Sequence, residues 1–218
     1  MDVIEFQILY TLQELRTPLV DGLMVFITSL GDHGWFWILM GVLLFSFPRT
    51  RILGGCMLIS IAAGFLLGNV MLKNIAARQR PCWLDPSVEL LVPVPKDFSF
   101  PSGHSLVSFE GAVCIFLFNR KWGIPALMLA VLTAFSRLYL FVHFPTDVLA
   151  GMALGIIIAW FVARTAKRMS TAKDISTAKD ISTSKGMGTA SGMGTASGMG
   201  TAKGSEENQR QDDERLTE

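Results

Sequence analysis

The chemistry of this chain is indicated first by a histidine and an aspartate four residues apart, His143 and Asp147. Pro145 between them suits the first turn of a helix, so His143 is expected just before that helix and Asp147 within its first turn. The two side chains then lie close together. A carboxylate beside an imidazole fixes the tautomer of the ring and stabilises its cation. An aspartate in a first turn can also serve only to complement the helix dipole, but this spacing favours a functional pair.

A second histidine lies at the start of another helix. The residues Pro101-Ser102-Gly103-His104 separate a polar, proline-rich loop from a long apolar run, and Ser102 is a preferred N-cap residue. The free N–H groups and partial positive charge of a helix start suit a phosphate or another oxyanion. A histidine in that turn can also exchange a proton near pH 7. By itself this tetrad is equally compatible with a capped helix and an incidental histidine.

Four basic residues suggest an anion site. Lys73 and Arg80 are seven positions apart, so a helix that continued to Pro81 would place both on one face. Arg78 lies between them. Such cations can simply anchor a span at the membrane interface, although they would lie on the side where basic residues are not favoured. Arg137 lies inside or at the edge of an apolar run, where an ionisable residue is a functional hypothesis by default.

The elements that must position these residues are membrane spans. Half of the 218 residues are apolar, and they are concentrated between Leu19 and Ala163. Several runs approach the ~20 apolar residues that cross a bilayer. We therefore predict an all-α fold, a six-span transmembrane helical bundle. The predicted spans are Pro18 to Leu30, Trp35 to Phe47, Arg51 to Leu72, Leu106 to Phe118, Gly123 to Phe135 and Val148 to Ala163.

The two ends of the chain differ from this bundle. Residues 1–16 carry Ile4, Ile8, Leu12 and Leu15 on one helical face, which predicts an amphipathic segment lying along the membrane surface. Residues 17–168 form the predicted membrane domain. Residues 169–218 run in six-residue units such as TAKDIS and TASGMG and end in an acidic stretch. With too little apolar surface to offset its ordering entropy, this tail is predicted to be disordered and cytoplasmic.

Basic residues in the short loops predict the orientation. They fall in three clusters, which share one side of the membrane if six spans alternate: Arg49 and Arg51, Arg120 and Lys121, and Arg164, Lys167 and Arg168. The positive-inside rule places that side in the cytoplasm. Both termini are then cytoplasmic, and the histidines and the other polar residues of the candidate site face outward. The net charge of +1 gives no indication of a nucleic-acid partner, and none is expected.

Together, these motifs resemble the three-part signature of the type-2 phosphatidic acid phosphatase and vanadium haloperoxidase superfamily. Order and internal spacing both fit, and no signature position departs from the pattern. Signature positions extend from Lys73 to Asp147, and the span layout extends the resemblance to roughly Leu19 to Arg164. The three parts are Lys73-x6-Arg80-Pro81, Pro101-Ser102-Gly103-His104 and Ser136-Arg137-x5-His143-x3-Asp147.

The resemblance implies a role for each signature residue. His143, oriented by Asp147, would attack phosphorus and form a phosphohistidine. His104 would protonate the departing oxygen and then take a proton from the hydrolytic water. The predicted phosphate-binding residues are Lys73, Arg80, Ser102, Gly103 and Arg137. Because a ring of cations disfavours a divalent metal, we expect no metal and no other cofactor.

Three functions fit this pattern. The resemblance favours a lipid phosphate or diphosphate phosphatase of the membrane branch, which acts on head groups at the outer surface. A phosphotransferase would use the same intermediate, with a sugar or lipid hydroxyl replacing water. A small anion transporter would need a continuous polar path through the spans, and only isolated polar residues such as Asn69, Ser60 and Ser108 are present. The sequence does not identify the lipid, for which phosphatidate, phosphatidylglycerol phosphate, lysophosphatidate and polyprenyl diphosphate are candidates, nor does it identify the oligomeric state.

Overall fold

The computed structural model describes residues 2–190, and within that range the regular structure is entirely helical. The chain divides into two compact units, residues 1–172 and 173–218, and the fold below is that of the first unit. Its helices are α1 (Asp2–Glu14), α2 (Pro18–Ser29), α3 (Trp35–Ser46), α4 (Arg51–Gly64), α5 (Lys73–Ala76), α6 (Pro81–Leu84), α7 (Gly103–Phe118), α8 (Arg120–Tyr139) and the first part of α9 (Pro145–Ala190). A 3-10 turn (Asp32–Gly34) joins α2 to α3, and a π-helical stretch (Phe65–Leu72) joins α4 to α5.

Among the described residues, three helical segments are long and apolar enough to cross a membrane: Arg51–Leu84, Arg120–Tyr139 and Pro145–Ala172. Helices α2 and α3 are bent by 43° relative to each other, and as a pair they pass the same test, which gives four candidate spans. Helix α7 is apolar but shorter, with 16 residues. A multi-pass helical bundle is thus confirmed, whereas the predicted number of six spans is not.

The count differs because α2 and α3 are too short to act separately. Each has 12 residues, which at 1.5 Å per residue gives about 18 Å, well below the ~30 Å hydrocarbon core of a bilayer. Gly34, with a φ of 70°, allows the sharp turn between them. The two predicted spans Pro18 to Leu30 and Trp35 to Phe47 therefore reach the length and apolar composition of a membrane span only as a pair.

The bundle is built around α7, which packs against α8 and α4. Trp37 of α3 is buried against Gly111 of α7, where a Cβ atom would lie 2.2 Å from the indole ring. Helix α4 approaches α3 in the same way, since a Cβ atom at Gly54 would lie 2.2 Å from the backbone nitrogen of Phe45. Close helix approach through small residues is typical of packing inside membranes.

Helix α1 lies against the end of the bundle where α8 ends and α9 begins. Leu9 is fully buried in a cluster with Phe141 and Phe144, and the amide of Gln13 donates to the carbonyl oxygen of Tyr139 at 2.9 Å. The predicted apolar face is mostly exposed, with Ile4 at 66%. Its contact with a membrane surface is not tested and stays a prediction.

The carboxyl-terminal prediction also differs from the structure. The sequence pattern places the end of the ordered chain at Arg168, whereas α9 continues to Ala190. No glycine or proline interrupts residues 169–185, so nothing in the local sequence ends a helix there. The predicted disorder of residues 191–218 lies outside the described residues.

Candidate active site

His143 lies in the short loop between α8 and α9 and is 1% exposed. Phe141 in the same loop has a φ of 59°, which turns the chain sharply after α8. The ring nitrogen Nε2 of His143 lies 3.0 Å from Nη1 of Arg80. Burial, followed by the positive charges of Arg80 and Arg137, lowers the pKa of His143 well below its ordinary value. The imidazole is therefore neutral at pH 7.

The other ring nitrogen faces Asp147, as the sequence predicts, but a serine lies between the two. Nδ1 of His143 is 3.7 Å from Oδ2 of Asp147, beyond hydrogen-bonding distance. The hydroxyl of Ser99 donates to that carboxylate oxygen at 2.5 Å and lies 3.3 Å from Nδ1. Since Ser99 uses its one proton on Asp147, Nδ1–H of His143 donates to the serine oxygen. The lone pair of Nε2 then faces Arg80.

Asp147 lies in the first turn of α9 and is fully buried. Its Oδ2 also accepts the backbone N–H of Phe144 at 2.9 Å. Its Oδ1 accepts a hydrogen bond from Nη1 of Arg78 at 2.8 Å. Arg78 therefore binds the carboxylate of the pair, rather than lying with Lys73 and Arg80 as the sequence suggested.

Lys73 and Arg80 come together by a different route from the predicted one. The helix ends at Ala76, Ala77 has a φ of 43°, and Arg80 has extended backbone. The prediction that Lys73 and Arg80 share a helix face was therefore wrong. The residue before Pro81 avoids helical dihedrals, and the chain turns before it. Both side chains are instead joined by a third group, Asp97.

Asp97 lies in the loop before α7 and binds both cations. Its carboxylate contacts Nζ of Lys73 and accepts from Nη2 of Arg80 at 2.8 Å. Partial burial acts to raise its pKa, but the hydrogen bond from Lys73 and the charge of Arg80 prevail and lower the pKa of Asp97 to about 2. Arg80 also donates to the carbonyl oxygens of Asp97 and Val142 at 2.7 and 2.8 Å. The guanidinium is thus fixed beside His143.

Arg137, near the end of α8, is 5% exposed, and its Nη1 donates to the hydroxyl of Thr28 at 2.6 Å. Within the described part of the chain, Nε of Arg137 has no hydrogen-bond partner. A buried guanidinium donor without an acceptor is costly unless a ligand satisfies it. This arrangement suits an oxyanion in the adjacent cavity.

His104 lies in the first turn of α7, as predicted, and Ser102 is the N-cap residue. Nε2 of His104 is 2.9 Å from Oδ1 of Asp32, in the turn between α2 and α3. Ser102 is fully buried, and its oxygen accepts the hydroxyl of Ser105 at 2.9 Å. Gly103 lies against Asn69, whose Oδ1 would be 2.9 Å from a Cβ atom at that position.

A cavity of roughly 1320 Å³ brings the predicted site residues together. Apolar side chains of α3, α4 and α7 form part of its wall. The predicted site residues that line it are Lys73, Arg80, Gly103, His104, Arg137 and His143. Ser102 and Asp147 lie behind this lining, so a direct contact between Ser102 and phosphate stays a prediction. Residues 2–190 contain no cluster of three or more His, Cys, Asp or Glu side chains that could hold a metal ion.

This geometry agrees with the comparisons with known proteins. The profile of the PAP2 superfamily matches residues 50–170, which is more than half of the chain. The chain belongs to the PAP2 superfamily. All eight predicted site residues of this PAP2 protein fall inside the matched range.

Several relatives of this PAP2 protein are named as phosphatases or diphosphatases. It is 41% identical over 137 residues to an undecaprenyl-diphosphatase of Sulfolobus acidocaldarius, covering 62% of this chain and 66% of that protein. It is 31% identical over 149 residues to the undecaprenyl-diphosphatase BcrC of Bacillus subtilis, covering 68% and 76%. The crystal structure of a phosphatidylglycerolphosphate phosphatase from Bacillus subtilis matches with a TM-score of 0.64 and 29% identity, covering 77% and 86%. The chain thus spans slightly less than two thirds of the Sulfolobus protein.

Sequence reasoning missed several residues of the site. They are Glu5, Asp32, Asp97 and Ser99. Arg78 was expected in an anion site with Lys73 and Arg80, whereas it binds Glu5 and Asp147. The sequence offered one signal for Ser99 and Asp97, because both lie within six residues of the Pro101-Ser102-Gly103-His104 motif. Glu5 and Asp32 lie far from the motifs along the chain, and only the tertiary fold brings them to the site.

Proposed function

We propose that this PAP2 protein is an integral membrane phosphatase that removes phosphate from lipid phosphomonoesters or diphosphates through a phosphohistidine intermediate. The observation that carries the proposal is the position of His143. Its neutral Nε2 faces the cavity beside Arg80, and Lys73 and Arg137 line the same space. A nucleophile, its orienting carboxylate and three cations are the parts that in-line phosphoryl transfer requires.

In the first step, Nε2 of His143 attacks phosphorus, an N–P bond forms, and the P–O bond to the lipid breaks. Lys73, Arg80 and Arg137 neutralise the phosphoryl oxygens, so Asp97 must share or give up its two cations as the phosphate enters. The positive charge that develops on the imidazole is stabilised by Asp147 through Ser99. When substrate binds, the phosphate thus takes the place of the Asp97 carboxylate beside Lys73 and Arg80.

His104 completes the proposed reaction. It donates a proton to the departing lipid oxygen, and Asp32 at 2.9 Å orients its ring and stabilises its charged form. In the second step His104 takes a proton from water, which attacks the phosphohistidine, breaks the N–P bond and releases phosphate. The named activities of the relatives support a polyprenyl diphosphate as the substrate.

We also propose that the site faces outward. Arg51 begins α4 and Arg120 begins α8, whereas the site lies where α4 and α8 end. On α9, Lys167 donates to the carbonyl oxygen of Leu117 at the end of α7, again opposite the site. If α7 also crosses, the chain makes five crossings, counting α2 and α3 as one, and the positive-inside rule places the basic end in the cytoplasm.

This topology changes one part of the predicted localisation. Glu5 of α1 contacts Arg78 and Thr146 directly, so the amino end lies at the site end of the bundle, and an outward site places it outside. In this proposal the two termini therefore lie on opposite sides of the membrane, because α2 and α3 together supply one crossing instead of the two expected. The carboxyl-terminal tail stays cytoplasmic in this proposal.

Cysteine labelling tests the orientation. In a variant without native cysteines, probes at Val3 and Val94, which are 73% and 57% exposed, should react with a membrane-impermeant maleimide in intact cells. A probe at Met169, 68% exposed, should react only after permeabilisation. The native Cys82 is unsuitable because it is only 6% exposed. Reversed labelling of the three probes would refute the outward site.

Phosphate release tests the activity itself. Purified protein in detergent with excess EDTA should release inorganic phosphate from farnesyl diphosphate, and a panel of phosphatidate, phosphatidylglycerol phosphate and lysophosphatidate should define the preference. Turnover without a metal ion is expected because Lys73, Arg80 and Arg137 neutralise the charge on the phosphoryl oxygens. If no lipid phosphate is hydrolysed but phosphate crosses protein-containing vesicles, the transporter function replaces this proposal.

A further inference from the structure

We propose that Glu5 of the amino-terminal helix is a positioning residue for catalysis, acting on His143 through Arg78 and Asp147. The inference rests on the proposed phosphatase function and adds a residue outside the family motifs. Residue 5 also lies outside residues 50–170, which the family profile matches. Nothing in the signature of the superfamily therefore assigns Glu5 a role.

The contacts form an unbroken chain. Oε2 of Glu5 accepts from Nη2 of Arg78 at 2.5 Å. Nη1 of Arg78 donates to Oδ1 of Asp147 at 2.8 Å, and the other oxygen of Asp147 accepts the hydroxyl of Ser99. Ser99 lies 3.3 Å from Nδ1 of His143. Each link is within hydrogen-bonding distance, so the orientation of Arg78 bears directly on the carboxylate that holds the nucleophile.

Both ends of the Glu5–Arg78 pair are held firmly. The Glu5 residue is 6% exposed, and its second oxygen accepts from the backbone N–H and the hydroxyl of Thr146 at 3.1 and 2.6 Å. The guanidinium of Arg78 stacks over the ring of Phe144, 4.1 Å from its centre. Burial acts to raise the pKa of Glu5, but the hydrogen bonds from Thr146 and Arg78 prevail and lower it. Glu5 is therefore ionised at neutral pH.

Charge explains why a second carboxylate is useful. Asp147 must carry negative charge to stabilise the positive charge that grows on His143 as the N–P bond forms. A single arginine bound to Asp147 would cancel that charge. With Glu5 on the other side of the guanidinium, the three groups Glu5, Arg78 and Asp147 sum to −1, so Arg78 positions Asp147 without neutralising it. Loss of the Glu5 charge should then slow the attack without weakening phosphate binding.

The test uses Glu5→Gln, which keeps the shape of the side chain and removes its charge. With purified full-length protein and farnesyl diphosphate, kcat should fall on the order of tenfold, as for the loss of one unit charge in a site with an effective dielectric constant of about 20. KM should be nearly unchanged, because the phosphate-binding cations are untouched. The rate of phosphoenzyme formation in single-turnover mixing should fall by the same factor. Glu5→Asp should recover part of the loss.

The matched control is Glu14→Gln, the same change at an exposed position of the same helix, which should leave kcat at the wild-type value. A double-mutant cycle shows whether Glu5 acts through Arg78, because Glu5→Gln should then cost little in an Arg78→Gln background. The midpoint of thermal unfolding in detergent distinguishes a role of Glu5 in positioning Asp147 from a role in packing. A fall in kcat that is accompanied by a large fall in the unfolding midpoint of Glu5→Gln would overturn the inference. An unchanged kcat in Glu5→Gln would overturn it as well. An inactive wild type would instead refute the phosphatase function.

Discussion

Ser99 offers the most direct test of the proposed nucleophile. Its hydroxyl bridges Nδ1 of His143 and Oδ2 of Asp147, which are themselves 3.7 Å apart. Ser99→Ala removes a hydrogen bond to an ionised group, worth about 1.5–3 kcal/mol. If that stabilisation is fully expressed in the transition state, kcat should fall roughly 10- to 150-fold, since about 1.36 kcal/mol corresponds to a tenfold change in rate.

The assay is steady-state release of phosphate from farnesyl diphosphate. KM should change little in Ser99→Ala, because Ser99 is fully buried behind the ring and contacts none of the three cations in the hydrogen bonds described. Ser87→Ala is the matched control, since Ser87 is an exposed loop serine bonded to Asp85. Wild-type kcat in Ser99→Ala would show that His143 and Asp147 couple directly or not at all, and would refute the serine bridge.

The remaining predictions address the other parts of the molecule. His143→Ala and His143→Asn should each abolish turnover while the protein still inserts and folds, and wild-type activity in either would refute the mechanism. His104→Ala should lose most activity on lipid substrates but retain more on p-nitrophenyl phosphate, whose leaving group needs less acid assistance; equal losses would argue against the acid role. Truncation after Arg168 should leave specific activity nearly unchanged, because the site is built from residues before it. The folded-state pKa of Asp97 of about 2 lies below its unfolded value of about 4, so its contribution to stability should be lost as the pH falls from about 4 to 2. Unfolding midpoints should show a smaller loss over that window in Asp97→Asn, and an identical loss would contradict the pairing with its cations.

The sequence predicts the positions of His143, Asp147 and His104 well because the signature encodes them locally. The start of α9 brings Asp147 close to His143, and the start of α7 presents His104 to the cavity. The spacing of residues along one helix turn is enough to predict where these three side chains lie. Lys73 and Arg80 show the limit of that reasoning, since they meet at Asp97 although the helix that was expected to join them ends at Ala76.

The predicted number of six spans is not confirmed, for a related reason. Apolar composition identifies membrane-compatible segments, but it does not say whether two short segments are separate spans or halves of one. Gly31-Asp32-His33-Gly34 looks like a loop between spans, whereas in the fold it is a bend of 43° at the level of the site. Its contact with His104 and its place in the cavity lining show that this bend lies beside the cavity.

The residues that the sequence could not reveal share one property, which is that each pairs with a charged or titrating group far away in the chain. Glu5 pairs with Arg78, 73 positions later, and Asp32 with His104, 72 positions later. These carboxylates give the two sides of His143 opposite net charge. On the cavity side of His143, three cations and Asp97 sum to +2, which suits a dianionic phosphoryl group. On the other side, the groups around Asp147 keep negative charge. The neutral, buried imidazole between these two regions has its lone pair toward Arg80 on the cavity side and its proton toward Ser99 and Asp147 on the other side. This is the polarity that the proposed nucleophile needs before substrate arrives.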